Sequence, residues 1–414
     1  MYNTSYQPVS RHPADKTRFA PDARLKKTLV YLEDGFPVRV YEDELWTSKQ
    51  RQANPLHEIS YRACFKPQLP AYFIERLTKE GDTVYDPFSG RGTTAVEAAL
   101  HGRNVIANDA NPLSAIFTQP RLEVPTLAQI DVRLRSLCLS PGARRDLDLT
   151  MFFHPDTERE ILNLRNYLGK QRADGSEDSI DRWIRMVATN RLTGHSPGFF
   201  SVYTLPPNQA VLPENQIRIN EKRGQEPQYR DIRALILRKS MQLQGAINAA
   251  DRWRLHQAAA SAQFLENDAD ATPSIAPDSV QLTVTSPPFL DVVQYARDNW
   301  LRCWFNNLDA EAIGNRITMS KTVEAWAGAM SKVLDELYRI TRPGGWVAFE
   351  VGEVRNGKVK LEETVAPLGL DAGFKCEAIL INAQRFTKTA NIWGVKNNSL
   401  GTNSNRIVLF SKPR

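Results

Sequence analysis

The chain has 414 residues, 42% of them hydrophobic, and a formal charge of +6. This length suits one large α/β domain with an insertion or a second domain. Its four cysteines, Cys64, Cys138, Cys303 and Cys376, have no paired metal spacing and read as reduced packing residues. No apolar run is long enough to span a membrane and no signal-like start is visible, so a cytoplasmic, nucleoid-associated location is expected. The positive balance permits a polyanion partner without demanding one.

Residues 1–27 are polar and end in Arg24-Leu25-Lys26-Lys27, the pattern of a basic arm. Thr28–Leu32 and Val38–Tyr41, separated by Asp34-Gly35, predict a hairpin. The arm and hairpin are taken as residues 1–50. After Phe65-Lys66-Pro67-Gln68-Leu69 and a predicted helix near 70–79 comes Thr83-Val84-Tyr85-Asp86-Pro87-Phe88-Ser89-Gly90-Arg91-Gly92-Thr93-Thr94. This reads as a strand, a glycine loop and the start of a helix that stops at Gly102. The glycines allow a ligand to approach the backbone. Neither a phosphate cradle nor a full G-x-G-x-x-G is present, and Asp86 would repel a phosphate while attracting an ammonium group. A second strand, Asn104–Asn108, ends on Asp109, where a carboxylate can bind ribose hydroxyls. Ribose and a cationic amino-acid end without phosphate point to S-adenosylmethionine.

Beyond residue 115 the strand and helix alternation disappears. Stretches near 156–170, 178–190 and 231–260 read as helical, and the span 121–260 is taken as an insertion. From Arg182 to Ala260 there are twelve Lys/Arg against five Asp/Glu. The basic side chains Arg191, Lys222, Arg223, Arg230, Arg233, Arg238 and Lys239 are candidate DNA contacts, with Arg230, Arg233 and Arg238 placed on one helix. Phe199, Phe200 and Tyr203 are candidates for stacking or for core packing. A solvated helix face is the bland alternative for the basic run.

The apolar run Ser279–Val284 predicts a buried strand leading into Thr285-Ser286-Pro287-Pro288-Phe289. The two prolines fix φ and carry no N–H, so their carbonyls are expected to be free acceptors beside the Ser286 hydroxyl. With a flat Phe289 ring, such a turn suits a planar base bearing an exocyclic amino group and splayed out of its helix. Downstream, Val323, Trp326, Met330, Val333, Leu334, Leu337 and Ile340 recur at helical spacing. Pro343-Gly344-Gly345 should end that helix. Trp346–Val351, Cys376–Ile381 and Arg406–Phe410 should complete the sheet, and the Asn/Thr-rich stretch 384–405 should form a loop.

The combination D-P-F-x-G-x-G-T with T-S-P-P-F resembles the amino-methyltransferases of DNA, which act on cytosine N4 or adenine N6. Phe65 and Pro67 match the family element that helps hold the methionine part of the cofactor. Asp86, Pro87, Phe88, Ser89, Gly90, Gly92 and Thr93 match its glycine loop, and Asp109-Ala110 the acid after the second strand. Asp268-Ala269 resembles an element whose acid contacts the adenine amino group. The resemblance implies a doubly wound, mostly parallel seven-stranded Rossmann-like α/β fold. Its catalytic part would cover 51–120 and 261–414, with the largely helical insertion as target-recognition region. It also implies catalysis by Ser286, Pro287, Pro288 and Phe289, with S-adenosylmethionine as cofactor and no metal. DNA would be the partner, in a restriction-modification or epigenetic setting that can include a cognate restriction endonuclease. Ser286 at the first motif position resembles the cytosine-N4 branch. Adenine N6, an RNA amino group, and a non-catalytic nucleic-acid-binding protein are the rivals. The chain departs from the family order in one respect: the long insertion precedes Asn267-Asp268 instead of following it. None of the cysteines follows a proline, which speaks against cytosine-C5 chemistry.

Overall fold

Apolar strands, most of the central ones followed by a helix, build one sheet with helices on both faces. The computed structural model describes residues 26–31, 37–46, 53–62, 64–140, 142, 144–205, 210–288, 295–317, 320, 322–352, 359–383 and 404–414. The strands are β1 (Lys26–Tyr31), β2 (Pro37–Asp43), β3 (Thr83–Asp86), β4 (Asn104–Asn108), β5 (Gln263–Leu265), β6 (Val280–Thr285), β7 (Thr341–Val351), β8 (Lys375–Ala383) and β9 (Ser404–Ser411). Their order across the sheet is β1-β2-β8-β9-β7-β6-β3-β4-β5.

Strands β5, β4, β3, β6 and β7 run parallel, and β9 inserts antiparallel between β7 and β8. Chain order therefore reverses between β3 and β6, the switch point where open α/β sheets hold ligands beyond their strand ends. The doubly wound expectation holds, and among the described residues the sheet has nine strands where seven were expected. The N-terminal hairpin is the reason: β2 pairs parallel with β8, Val40 opposite Ile379, and β1 extends the edge. The segment preceding β1, the expected basic arm, lies outside the described residues apart from its last two.

Side chains on the strands alternate between two cores, as the pleat requires. Val84, Val105, Leu282, Val284, Trp346, Ala348 and Leu409 enter one cluster, and Tyr85, Ile106, Val347, Phe349 and Phe410 enter the other. The first cluster takes in α1 (Gln68–Leu77), α2 (Thr93–Leu100) and α3 (Leu113–Thr118). The second is capped by α12 (Val323–Ile340) and α13 (Leu361–Asp371). On α12 the predicted apolar residues Trp326, Met330, Val333, Leu334, Leu337 and Ile340 are all buried. The Pro343-Gly344-Gly345 segment is already part of β7 instead of a turn between helix and strand.

The span 121–260 holds α4 (Leu127–Ser136), α5 (Pro155–Ala173), α6 (Ser179–Arg191), α7 (Pro213–Arg223), α8 (Ile232–Gln244) and α9 (Ala249–Ser261). The stretch 231–260 is two helices, because Gly245 ends the first and an Asn248/Asp251 capping box starts the second. Leu164, Trp183, Ile184 and Ile236 share one cluster with Val96 and Leu282, so this region has no separate core. Helix α9 packs on α2 and β4, in the position of the crossover helix into β5. Two helices, α10 (Tyr295–Phe305) and α11 (Ala310–Arg316), follow the β6 turn.

Gly92, the residue before α2, has φ 74°, and a Cβ there would lie 2.2 Å from Thr118 Oγ1. Gly81 also has positive φ, 80°, but open space around it. Gly92→Ala should therefore lower unfolding free energy by about 2–4 kcal/mol, and Gly81→Ala by only about 1 kcal/mol. Chemical denaturation of both variants measures the gap, and equal losses would contradict the crowding at Thr118.

Candidate active site

Strand β3 delivers Asp86 to the sheet's ligand-binding edge, and neighbouring β6 delivers Thr285-Ser286 beside it. The two are joined directly: Thr285 Oγ1 donates to Asp86 Oδ1 at 2.7 Å, and the Phe88 N–H donates to the same oxygen at 3.1 Å. Asp86 Oδ2 is buried and has no donor among the described residues. Burial pushes the Asp86 carboxyl up to about 7, against the lowering by its hydrogen bonds to Thr285 and Phe88.

The glycine loop wraps around the end of β4. Gly90 N–H donates to Asp109 Oδ2 at 2.7 Å and Asn111 N–H to Asp109 Oδ1 at 2.9 Å. Burial pushes the Asp109 carboxyl up to about 6 even so. Asn108, buried beneath it, clamps the loop that follows β5. Its amide nitrogen donates to the Pro87 and Asn267 carbonyls at 3.2 and 3.0 Å, and its oxygen accepts from the Asn267 N–H at 2.9 Å. Behind the loop sit two buried guanidinium groups. Arg91 reaches the carbonyls of Ile59 and Phe65, and Arg121 those of Leu56, Phe117 and Arg91. Burial, with Arg91 nearby, pushes Arg121 down to about 9.

These elements enclose a cavity of about 210 Å³ whose walls include Tyr61, Pro87, Phe88, Gly90, Asp109 and Ala110. The loop after β5 contributes Asn267, Asp268, Ala269 and Asp270, and the β6 turn contributes Ser286, Pro287 and Pro288. Among the described residues three acids and one cation, Arg316, line it, which suits a cationic ligand and not a phosphate. Arg316 donates to the Glu266 carbonyl at 2.8 Å and lies 3.6 Å from the exposed Asp268 carboxylate.

Most residues expected at the site are brought together here. Asp86 and Ser89 stand buried just behind the wall, and Thr93 accepts from Arg91 Nε at 3.1 Å. Gly92 shapes the loop without lining the cavity. Phe65 and Pro67 are not among its walls: Phe65 packs on the core, and Pro67 precedes α1 beside a second cleft. Phe289 lies outside the described residues.

The expectation of two free proline carbonyls needs correction. Trp326 Nε1 of α12 donates to the Pro288 carbonyl at 3.0 Å, leaving Pro287's as the carbonyl without a donor among the described residues. Sequence reading placed Trp326 in a core stripe and had no sign of this bond. It also missed Glu350, near the end of β7. Thr285 pairs with Phe349, so Glu350 follows in step with Ser286. The buried Glu350 carboxyl hydrogen-bonds the Ser286 side chain and accepts from Asn405 Nδ2 at 3.0 Å. Burial holds it above the ordinary glutamate range. Tyr61, whose hydroxyl accepts from Asn111 Nδ2 at 3.3 Å, had no motif to reveal it.

The basic residues of the insertion mostly serve the fold. Arg191 is buried with its guanidinium 3.9 Å from the Phe199 ring centre, and burial pushes it down to about 10. Arg230 precedes α8 and donates to the carbonyls of Ser196 and Phe199. Arg233 donates to those of Leu134 and Leu137, at the C-terminal end of α4. Lys239 is buried against Glu58, 3.2 Å away. Carbonyl and carboxylate partners within the protein thus engage all four. Lys222, Arg223 and Arg238 are exposed, with Arg223 stacked 3.8 Å from the Tyr203 ring centre. Phe199 and Phe200 are core residues.

Residues 11–114 match a family model described as DNA methylase. A type II methyltransferase of Methanocaldococcus jannaschii is 35% identical over 77 residues, 18% of this chain and 14% of that protein. One of Geobacillus stearothermophilus is 21% identical over 340 residues, covering 74% and 64% of the two chains. One of Kocuria varians is 30% identical over 128 residues, 30% and 25%. By family, the matched segment is that of a DNA amino-methyltransferase. This chain therefore spans between 14% and 64% of the length of these three relatives. Among solved structures, a SAM-dependent methyltransferase of Methanosarcina mazei overlaps 82% of this chain and 97% of its own at 12% identity. The TM-score is 0.32, too loose an overlap to add to the strand order.

A carboxyl whose folded-state pKa lies above its unfolded value stabilises fully below the unfolded pKa and loses that contribution as pH rises through the folded one. For Asp86 that window runs from about 4 to about 7. Asp86→Asn keeps an acceptor for Thr285, so the ligand-free variant should exceed the wild type in stability by roughly 2–4 kcal/mol at pH 8. The two should converge below pH 4 in thermal or urea unfolding, and a pH-independent difference would contradict the burial of a charge here.

Proposed function

We propose that this protein transfers a methyl group from S-adenosylmethionine to an exocyclic amino group of a base in DNA, with cytosine N4 as the target. The observation that carries this reading is the meeting, in one acid-lined cavity at the switch point, of the glycine loop and the Ser286-Pro287-Pro288 turn. The orphaned Asp86 Oδ2 fits an ammonium group, and Asp109 and Asp268 fit hydroxyl and amino donors. When bound, the cofactor would supply an electrophilic methyl group, the methyl–sulfur bond breaking with its electron pair left on sulfur.

The chain's own residues do the rest. An amino group on a base ring is a poor nucleophile because its lone pair is delocalised. Its two N–H bonds find two acceptors, Ser286 Oγ and the Pro287 carbonyl, which favour a pyramidal nitrogen with a localised pair. As the N–C bond forms, the nitrogen must lose a proton. Ser286 Oγ accepts it while its own hydroxyl proton passes to the Glu350 carboxylate, with which it shares a hydrogen bond. The nitrogen keeps the N–H electron pair, and Glu350 ends neutral. Glycine-loop backbone and the Asn108 clamp hold the cofactor face of the cavity, and the buried sheet edge excludes water. The exposed Lys222, Arg223 and Arg238 are the candidates left for phosphate contacts.

Incubation with labelled cofactor and DNA or RNA, followed by mass spectrometry of the nucleosides, tests the assignment. N4-methylcytosine in DNA is expected. N6-methyladenine as sole product would move the target to adenine, label in RNA alone would overturn DNA, and no label in either would overturn the function. Because Glu350 must be ionised to take the proton, turnover should fall as pH drops through its raised value. Glu350→Gln should abolish that acidic limb and slow turnover about 100-fold, and Ser286→Ala should slow it at least as much.

A further inference from the structure

The two halves of the cavity are spanned by one helix. Near its N-terminal end, α12 touches the β6 turn, where Trp326 Nε1 donates to the Pro288 carbonyl at 3.0 Å from a side chain only 2% exposed. Ten residues on, the same helix holds the loop that follows Asp268. Glu336 Oε1 accepts from the Thr272 N–H at 2.8 Å. Arg339, bonded to Glu336, donates to the carbonyls of Thr272 and Ile275 at 3.0 Å each. Between the two anchor points, Ala329, Met330 and Val333 form part of the cavity wall itself. At about 1.5 Å rise per residue, the anchors are separated by roughly 15 Å along the axis.

We infer that Trp326 is a positioning residue for methyl transfer: its indole N–H fixes the Pro288 carbonyl and so orients the catalytic turn against the cofactor loop held at the other end of α12. The inference rests on the function proposed above. By engaging the second proline carbonyl, Trp326 leaves the turn with one carbonyl and one hydroxyl facing the cavity, matching the two N–H bonds of an amino group. A free Pro288 carbonyl would be a third acceptor competing for the same donors, and the peptide after it could rotate. Burial makes the constraint firm, because an unpaired indole N–H or carbonyl in this apolar layer would itself be costly.

The clean test replaces Trp326 with β-(3-benzothienyl)alanine, which keeps the ring shape and lacks the N–H, with Trp326→Phe as a second variant. Single-turnover methylation of DNA is measured together with affinity for S-adenosylhomocysteine and the thermal midpoint. A rate about 10-fold below wild type is expected, with affinity within about 2-fold and a midpoint lowered by a few degrees, as suits the loss of one buried hydrogen bond. An unchanged rate in the isostere would overturn the positioning role. So would a slower rate accompanied by an equal loss of cofactor affinity, since a general loosening of the cavity would produce that. If wild type methylates no nucleic acid, the proposed function falls, and this role with it; an active wild type with an unaffected variant removes only the role.

Discussion

The hydrogen bond from Thr285 to Asp86 joins the two strands on which the site depends. β3 and β6 run parallel at the point where chain order reverses, so their ends open onto one crevice from which the following segments diverge. The glycine loop leaves β3 toward one face and the Ser-Pro-Pro turn leaves β6 beside it. That register sets the Asp86 carboxyl beside Thr285, next to the Ser-Pro-Pro turn that lines the cavity. The Asp86 carboxyl stands buried with one oxygen unpaired, a state that costs stability.

Around this junction the protein keeps the site rigid with polar groups that do not touch the cavity's contents. Asn108 ties the β3 and β5 loops together, Arg91 and Arg121 hold the glycine loop from behind, and Trp326 holds the turn from above. Each satisfies main-chain groups that loops would otherwise bury unpaired. The same logic accounts for the insertion. Several of its arginines, which a charge count would assign to DNA, cap carbonyls at helix ends and loops instead. A guanidinium with five donors serves both purposes equally well, so charge alone does not separate them.

The strands β3, β4, β6 and the helix α12 were legible because their apolar residues recur at periods of two and 3.6, and period follows directly from backbone geometry. The short helices α4 and α7 carry few buried residues and so little periodic signal. Likewise Asp86, Asp109 and Ser286 stood out by their neighbours in sequence, glycines and prolines that constrain the backbone locally. Phe65 and Pro67 were expected from their match to a family element, and the fold sets Phe65 against the core and Pro67 beside a second cleft.

What the sequence by itself determined was the chemistry available: an acid at each of two strand ends, a loop that needs glycine, and a turn lacking N–H groups. These are local properties, set by residues within a few positions of one another. The tertiary structure alone decided which groups meet. Glu350 reaches Ser286 through strand register, 64 positions along the chain, Trp326 reaches Pro288 from 38 positions away, and the N-terminal hairpin joins a strand from the far end of the chain. Such pairings depend on how sheet order brings distant segments side by side, and no pattern within either segment encodes its partner.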